Sequence, residues 1–211
     1  MSDAPSPLRS RILDAAFTAF MRSGYEGAST AEIARLAKVS KRDLYALFPA
    51  KQAMLAACVT ERAERMRRPL RLPPPTDRVG LHETLVRYGM GVVRELSQPE
   101  VLATFRLAIM NAETAPDVGS TLDRLGRTEA TAALTGLFQA ACERGLLAGA
   151  EPGEMAFLFN AVLMGGGLQI RMLMRVADAP TEDEARQRAE AAASTVERLF
   201  SRRPASDVEF G

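Results

Sequence analysis

The sequence predicts an all-α fold, with a three-helix unit at the N-terminus and a larger helical unit behind it. Three observations carry this expectation. Residues 28–51, ASTAEIARLAKVSKRDLYALFPAK, read as a helix, a three-residue turn, a second helix and the capped start of a third. Further along, Pro99, Pro116, Pro152 and Pro180 each fall near the first turn of a candidate helix, where proline's missing N–H costs nothing. No stretch alternates apolar and polar residues with the period of two that a half-buried strand requires.

The first helix is expected over Ser10–Met21, with Ile12, Ala16, Phe17 and Phe20 on one face. Gly24 after it suits a left-handed C-terminal cap. Ser29 opens the second helix as half of a capping box with Glu32, and Ile33, Leu36 and Ala37 form its inward stripe. Lys38-Val39-Ser40 breaks the period, and Ser40 is a second N-cap. Leu44 and Phe48, four apart, share the inner face of the next helix. Lys41, Arg42, Asp43, Tyr45 and Ala46 fall mostly on its outer face, and Pro49 ends it.

Two short capped helices joined by a tight turn make a helix-turn-helix, whose second helix can enter a major groove. Lys41 and Arg42 can donate to phosphates or to guanine O6 and N7, and Asp43 can accept from a cytosine amino group. Ser29, Thr30 and Ser40 stand at helix N-termini, where backbone N–H groups and the dipole favour phosphate oxygens. Tyr45 can donate its hydroxyl to a phosphate. Each has a plainer alternative: a solvated face for Lys41 and Arg42, packing for Tyr45, pairing with a neighbouring cation for Asp43.

Segment 11–57 resembles the DNA-binding domain of the TetR family of transcriptional regulators. The resemblance rests on Ile12…Ala16…Phe20, Gly24-Tyr25, Ser29-Thr30, Ile33-Ala34, Ala37-x-Val39-Ser40, Leu44-Tyr45-x-x-Phe48 and Lys51. It implies that Lys51 contacts the DNA backbone. Two residues depart from the family pattern. Lys38 replaces a frequent glycine in a turn that favours φ > 0, at a strain of about 1 kcal/mol. Leu47 replaces a histidine or aromatic and can touch a thymine methyl.

Charge divides the chain. Residues 1–70 hold 12 Lys/Arg and 7 Asp/Glu, a net of +5, whereas the remainder holds 15 and 19, a net of −4. The overall +1 therefore combines a basic part suited to a polyanion with an acidic part that is not. The expected organisation is a disordered tail over 1–8, a DNA-binding domain over 9–57, a helical ligand-binding and dimerisation domain over 58–203, and a tail over 204–211. Met1–Pro7 is polar and has no apolar core segment, so no secretory signal is read. Cys58 and Cys142 lack CxxC or Cys/His spacing. Both features suggest a reduced, cytoplasmic protein whose thiols are small hydrophobes rather than redox sensors.

Residues 51–67 form the linking helix, with Arg62, Arg65, Arg67 and Arg68 towards its C-terminal end. Pro69–Asp77, with prolines at 69, 73, 74 and 75, is expected to be extended. Helices follow over 79–97, 99–112, 116–145, 153–176 and 181–201. Met155–Ile170 contains 16 residues without a charge, short of the roughly 20 needed to span a membrane. It is interrupted by Gly165-Gly166-Gly167, glycines that would let a second helix approach closely, and no membrane partner is expected. A helix apolar on nearly every side must be buried on nearly every side. With the stripe Ala185, Ala189, Ala192, Ala193, Val196, Leu199 and Phe200, it suggests a homodimer through helices 153–176 and 181–201, as the resemblance also implies.

The resemblance further implies a small-molecule pocket in the C-terminal domain that controls the spacing of the two recognition helices. Candidate lining residues are Tyr88, Val92, Phe105, Ile109, Met110, Phe138 and Phe159, with Arg106, Asn111 and Asn160 as polar anchors. The partners expected are therefore a double-stranded DNA operator, a small hydrophobic effector and a second copy of the chain. An enzyme is disfavoured: there is no phosphate loop, GxSxG, HExxH or Cys/His metal spacing, and no cofactor or metal is expected. His82 is the lone histidine, and Glu182, Asp183 and Glu184 read as a dipole-complementing first turn. The reading is thus a ligand-released repressor; the alternative is an architectural DNA binder of the same fold without a ligand.

Overall fold

The computed structural model describes residues 6–201, which are helix and loop with no named strand; Leu147 and Ser201 make an isolated antiparallel bridge. Eleven α-helices run in chain order: α1 Pro7–Gly27, α2 Thr30–Ala37, α3 Lys41–Leu47, α4 Lys51–Arg67, α5 Arg78–Leu96, α6 Pro99–Met110, α7 Pro116–Thr121, α8 Glu129–Glu143, α9 Pro152–Leu163, α10 Leu168–Leu173 and α11 Glu182–Phe200. The tails expected over 1–8 and 204–211 lie largely outside the described residues, but Ser6 N-caps α1 and Pro7 is its first residue.

The helices form two compact units. The N-terminal unit takes the chain up to Glu64 together with Gln98–Glu129, and the C-terminal unit takes Arg65–Ser97 and the chain from Ala130 on. Thus α6 and α7 pack with α1–α4, although the 31 residues 68–98 lie between α4 and α6.

The N-terminal unit is built on Ile12, Ala16, Phe20, Ile33, Leu44, Phe48, Met54 and Leu55, with Leu107 and Val118 arriving from α6 and α7. Phe17, expected on the inner face, is only half buried; the Arg62 guanidinium lies 5.3 Å over its ring, and Leu13 is inside instead. Gly24 does have φ > 0, but with φ 75° and ψ 167° it kinks α1 rather than capping it left-handed. That region is open essentially to glycine alone, so the helix resumes and runs on to Gly27.

In the C-terminal unit, α11 packs against α5 and α9. Gly89 of α5 allows a close crossing: a Cβ there would stand 2.9 Å from the Cβ of Ala189. Ala185, Ala189, Ala192, Ala193 and Val196 of α11 are buried, while Leu199 is 59% exposed. The chain therefore uses most of the small-residue stripe of α11 for its own core, not as a free face. A complete capping box, Thr181 with Glu184, starts α11; hydrogen bonds from Thr181 hold the exposed Glu184 carboxyl below its usual range.

Three sequence expectations are corrected. Residues 153–176 are not one helix: α9 stops at Leu163, Gly166 and Gly167 take φ 71° and 67°, and α10 follows as a six-residue helix. Glycine enters that region without the steric cost other residues meet, and Arg188 Nη1 caps α9 by donating to the carbonyls of Leu163 (3.3 Å) and Gly165 (3.2 Å). Residues 116–145 likewise divide into α7, a π-helical stretch Leu122–Thr128 and α8, with Gly119 and Gly126 weakening the α register. The proline-rich connector begins with a short 3-10 turn, Arg68–Arg71, whose first turn accommodates Pro69.

Candidate nucleic-acid interface

Helix α3 is only seven residues long, and local chemistry defines both its ends. The Ser40 hydroxyl accepts from the N–H of Asp43 (3.0 Å) and donates to Asp43 Oδ2 (2.7 Å). Phe48 turns extended before Pro49 and ends it. Leu44 and Phe48 are buried, at 0% and 4% exposure. Their burial turns Lys41, Arg42, Asp43, Tyr45, Ala46 and Leu47 to solvent. Asp43 is thus already engaged by the cap of its own helix, not by a neighbouring cation.

Helix α2 begins at Ser29, whose hydroxyl accepts from the N–H of Glu32 at 3.1 Å. The reciprocal bond from Glu32, expected from sequence, is not formed among the described residues. The Thr30 hydroxyl instead lies 2.8 Å from the Tyr45 hydroxyl, tying the first turn of α2 to the outer face of α3. Lys38 ends α2 in the left-handed region, φ 53° and ψ 48°, with its N–H directed to the carbonyls of Ala34 and Arg35. A non-glycine residue thus stands where the sequence led one to expect φ > 0.

Arg11 plays a part that sequence reasoning missed. Its guanidinium donates to the Ala37 carbonyl from Nε (3.3 Å) and Nη2 (2.9 Å), and to the Lys38 carbonyl from Nη2 (3.2 Å). These are the orphan acceptors at the end of α2. No local signal announces this, because the partners stand 26 and 27 residues away. Lys51 does the same for α1: Nζ donates to the carbonyls of Tyr25 (2.7 Å) and Glu26 (3.1 Å) and lies 4.7 Å from the Tyr25 ring centroid. Burial, with Glu26 and Asp117 nearby, raises the Tyr25 phenol above its usual range. The lysine expected to face DNA is held against the end of α1.

The ten expected pocket residues divide between the units. In the C-terminal unit Tyr88, Phe138 and Phe159 are fully buried and in contact, the Tyr88–Phe159 rings tilted with centroids 5.9 Å apart and the Phe138–Phe159 rings edge to face at 6.5 Å. Burial pushes the Tyr88 phenol up to about 12, against an opposing effect of Arg67. Val92 is buried and Asn160 half-buried. In the N-terminal unit Phe105 and Arg106 are half-buried, and Ile109 and Met110 are 61% and 82% exposed. Asn111 spends its amide on the Leu107 carbonyl at 2.8 Å, closing α6. A cleft of about 560 Å³ opens elsewhere in the C-terminal unit, between the start of α5, the loop after α8 and the end of α11. None of the ten lines it.

No group of His, Cys, Asp and Glu suited to a metal occurs among the described residues, nor is any helix there long and apolar enough to cross a membrane. Cys58 and Cys142 are free thiols. Burial, foremost, pushes Cys58 up to about 12 and also raises Cys142.

An exposed, capped seven-residue helix carrying two cations and a tyrosine, set behind a second capped helix, defines a helix-turn-helix DNA-binding protein. The family model described as "Bacterial regulatory proteins, tetR family" matches residues 12–58, and that described as "AefR-like transcriptional repressor, C-terminal domain" matches residues 83–202. The chain belongs to the TetR family of transcriptional regulators.

Solved structures agree in fold. A TetR transcriptional regulator from Agrobacterium tumefaciens is 25% identical, with 92% of this chain and 95% of that one covered at a TM-score of 0.73. The flavonoid-responsive regulator FrrA is 24% identical, with 93% and 98% covered and a TM-score of 0.72. A TetR-family regulator from Mesorhizobium loti is 22% identical, with 95% and 100% covered and a TM-score of 0.71. No curated protein matches in sequence.

Proposed function

We propose that this regulator is a homodimeric repressor that places α3 of each copy in successive major grooves of a palindromic operator. The observation that carries the reading is the outer face of α3, where Lys41, Arg42 and Tyr45 stand exposed while Leu44 anchors the helix from behind. The hydroxyl and N–H groups at the starts of α2 and α3 supply phosphate contacts, and Leu47, 41% exposed, meets a thymine methyl. Pairing of chains is supported by Phe157 of α9, which is 75% exposed, because so large an uncovered aromatic suits an interface.

Release comes from a small hydrophobic effector bound in the C-terminal unit, where the Tyr88–Phe159–Phe138 cluster offers aromatic faces once it opens. The closed packing of those three rings favours a second reading, an architectural DNA binder that takes no ligand. The two part company in a single experiment: operator binding followed by fluorescence anisotropy at fixed salt, with and without compounds, flavonoids among them. Tyr45→Ala and Lys41→Ala should weaken binding while the mass by light scattering stays that of a dimer. Unchanged affinity would remove α3 as the reading helix; binding that no compound relieves would favour the architectural role.

A further inference from the structure

His82 is the chain's single histidine. Its ring stands near the start of α5, with Nδ1 2.8 Å from Oε2 of Glu197 and Nε2 2.8 Å from Oε2 of Glu190. Both carboxylates belong to α11, seven residues and so two turns apart on one face. Among the described residues, the other charged groups lining the cleft beside the ring are Arg198 from α11 and Arg78 and Glu83 from its own helix; the loop after α8 brings the apolar Leu146 and Leu147.

An imidazole donates from both nitrogens only when it is protonated. The charged ring satisfies both carboxylates at once. The neutral ring has one N–H, and its other nitrogen turns a lone pair towards a carboxylate oxygen, so one contact must open. The two glutamates differ in what opening costs them. Glu190 has a side chain 44% exposed, so water can take the place of the ring. Glu197 is 25% exposed, and its Oε1 is already buried without a hydrogen-bond partner. Giving up the ring as well would leave a second unsatisfied oxygen in poor contact with water.

We propose that His82 is a proton-operated clamp: charged, it ties α5 to α11 through both Glu190 and Glu197; neutral, it keeps Glu197 and releases Glu190. The tight crossing of Gly89 and Ala189, two turns further along α5, involves no titratable group. The same seam also carries the ion pair of Arg94 on α5 with Glu182 on α11, so the share of its proton dependence that belongs to the ring is read from the glutamate variants. The hydrogen bond that the ring donates to Glu197, foremost, and that to Glu190 raise the His82 pKa, overcoming a desolvation effect that lowers it. A group whose pKa is higher folded than unfolded adds stability that is complete below the unfolded value. That stability is lost as pH rises through the folded one.

The test is a pH titration of the histidine ring C–H signals in tag-free protein, which a single histidine makes unambiguous, together with melting temperatures across the same range. The ring midpoint should lie above the ordinary histidine value of about 6.5. Glu197→Gln should lower it most and Glu190→Gln less. Glu190→Gln should melt below wild type on the acidic side of the midpoint and level with it on the alkaline side, whereas Glu197→Gln should melt lower on both. A wild-type midpoint at or below the ordinary value would overturn the clamp. So would a Glu190→Gln variant with an unmoved midpoint, or one destabilised equally on both sides.

Discussion

The hydroxyls of Thr30 and Tyr45 lie 2.8 Å apart, joining the first residue of α2 to the exposed face of α3. Tyr45 is 47% exposed, so the bond fixes the direction of a solvent-facing ring more than it stabilises the fold. Thr30→Val and Tyr45→Phe should each weaken operator binding severalfold, and the double variant should lose little more than either alone. Double-mutant anisotropy titrations check this, because residues acting through one contact are non-additive. Full additivity would mean that the two hydroxyls act on DNA separately.

Lys41 should behave as a phosphate contact. Lys41→Ala should lower the slope of log affinity against log salt by about one unit, with little change in the preferred sequence. Titrations at several salt concentrations on operator and scrambled DNA supply the readout.

Lys38 occupies the left-handed region at φ 53°. Lys38→Gly should stabilise the chain by about 0.5–1 kcal/mol, the relief of strain outweighing the added freedom of the unfolded chain. The carbonyl that receives Arg11 is backbone and survives the change. Urea unfolding measures it.

Gly89→Ala should do the reverse. The added Cβ would stand 2.9 Å from Ala189 Cβ, 3.2 Å from Leu163 Cδ1 and 3.3 Å from the Ala189 Cα. Overpacking of this kind costs about 1–3 kcal/mol. Differential scanning calorimetry should show a lower melting temperature; an unchanged one would mean that α5 and α11 separate with ease.

The Cys58 thiol, pushed up to about 12 by burial, should resist alkylation. At pH 8 its thiolate fraction is about one in ten thousand. A native-state assay with Ellman's reagent should release one equivalent, from Cys142, and the second only in denaturant. Two rapid equivalents would mean that the half-buried Cys58 thiol, directed at the Leu13 carbonyl, is as open to reagent as Cys142.

The recognition element was legible because its grammar is local. Ser29, Ser40 and Pro49 mark helix ends within three residues of where their effect is felt, and Leu44 and Phe48 identify the inner face by spacing alone. What escaped was held over long separations. Arg11 reaches Ala37, Lys51 reaches back to Tyr25, and His82 finds its glutamates 108 and 115 residues on; no period or motif encodes such pairs. The place of α6 and α7 beside α1–α4 was hidden for the same reason. Gly165-Gly166-Gly167 was visible, but read as an allowance for close helix packing. Glycine's other property, free access to φ > 0, decided the outcome and broke the helix.

The brevity of α3 has a consequence in information. Seven residues rising about 1.5 Å each cover roughly 10 Å, or about three base pairs of duplex. Three fully specified pairs distinguish about one site in 64, and two copies about one in 4,000, whereas a genome offers on the order of a million competitors or more. Side chains on α3 therefore carry only part of the address. If α3 is the reading helix of a dimer, as proposed, the stiffness and groove width of the DNA between the half-sites can carry part of the remainder.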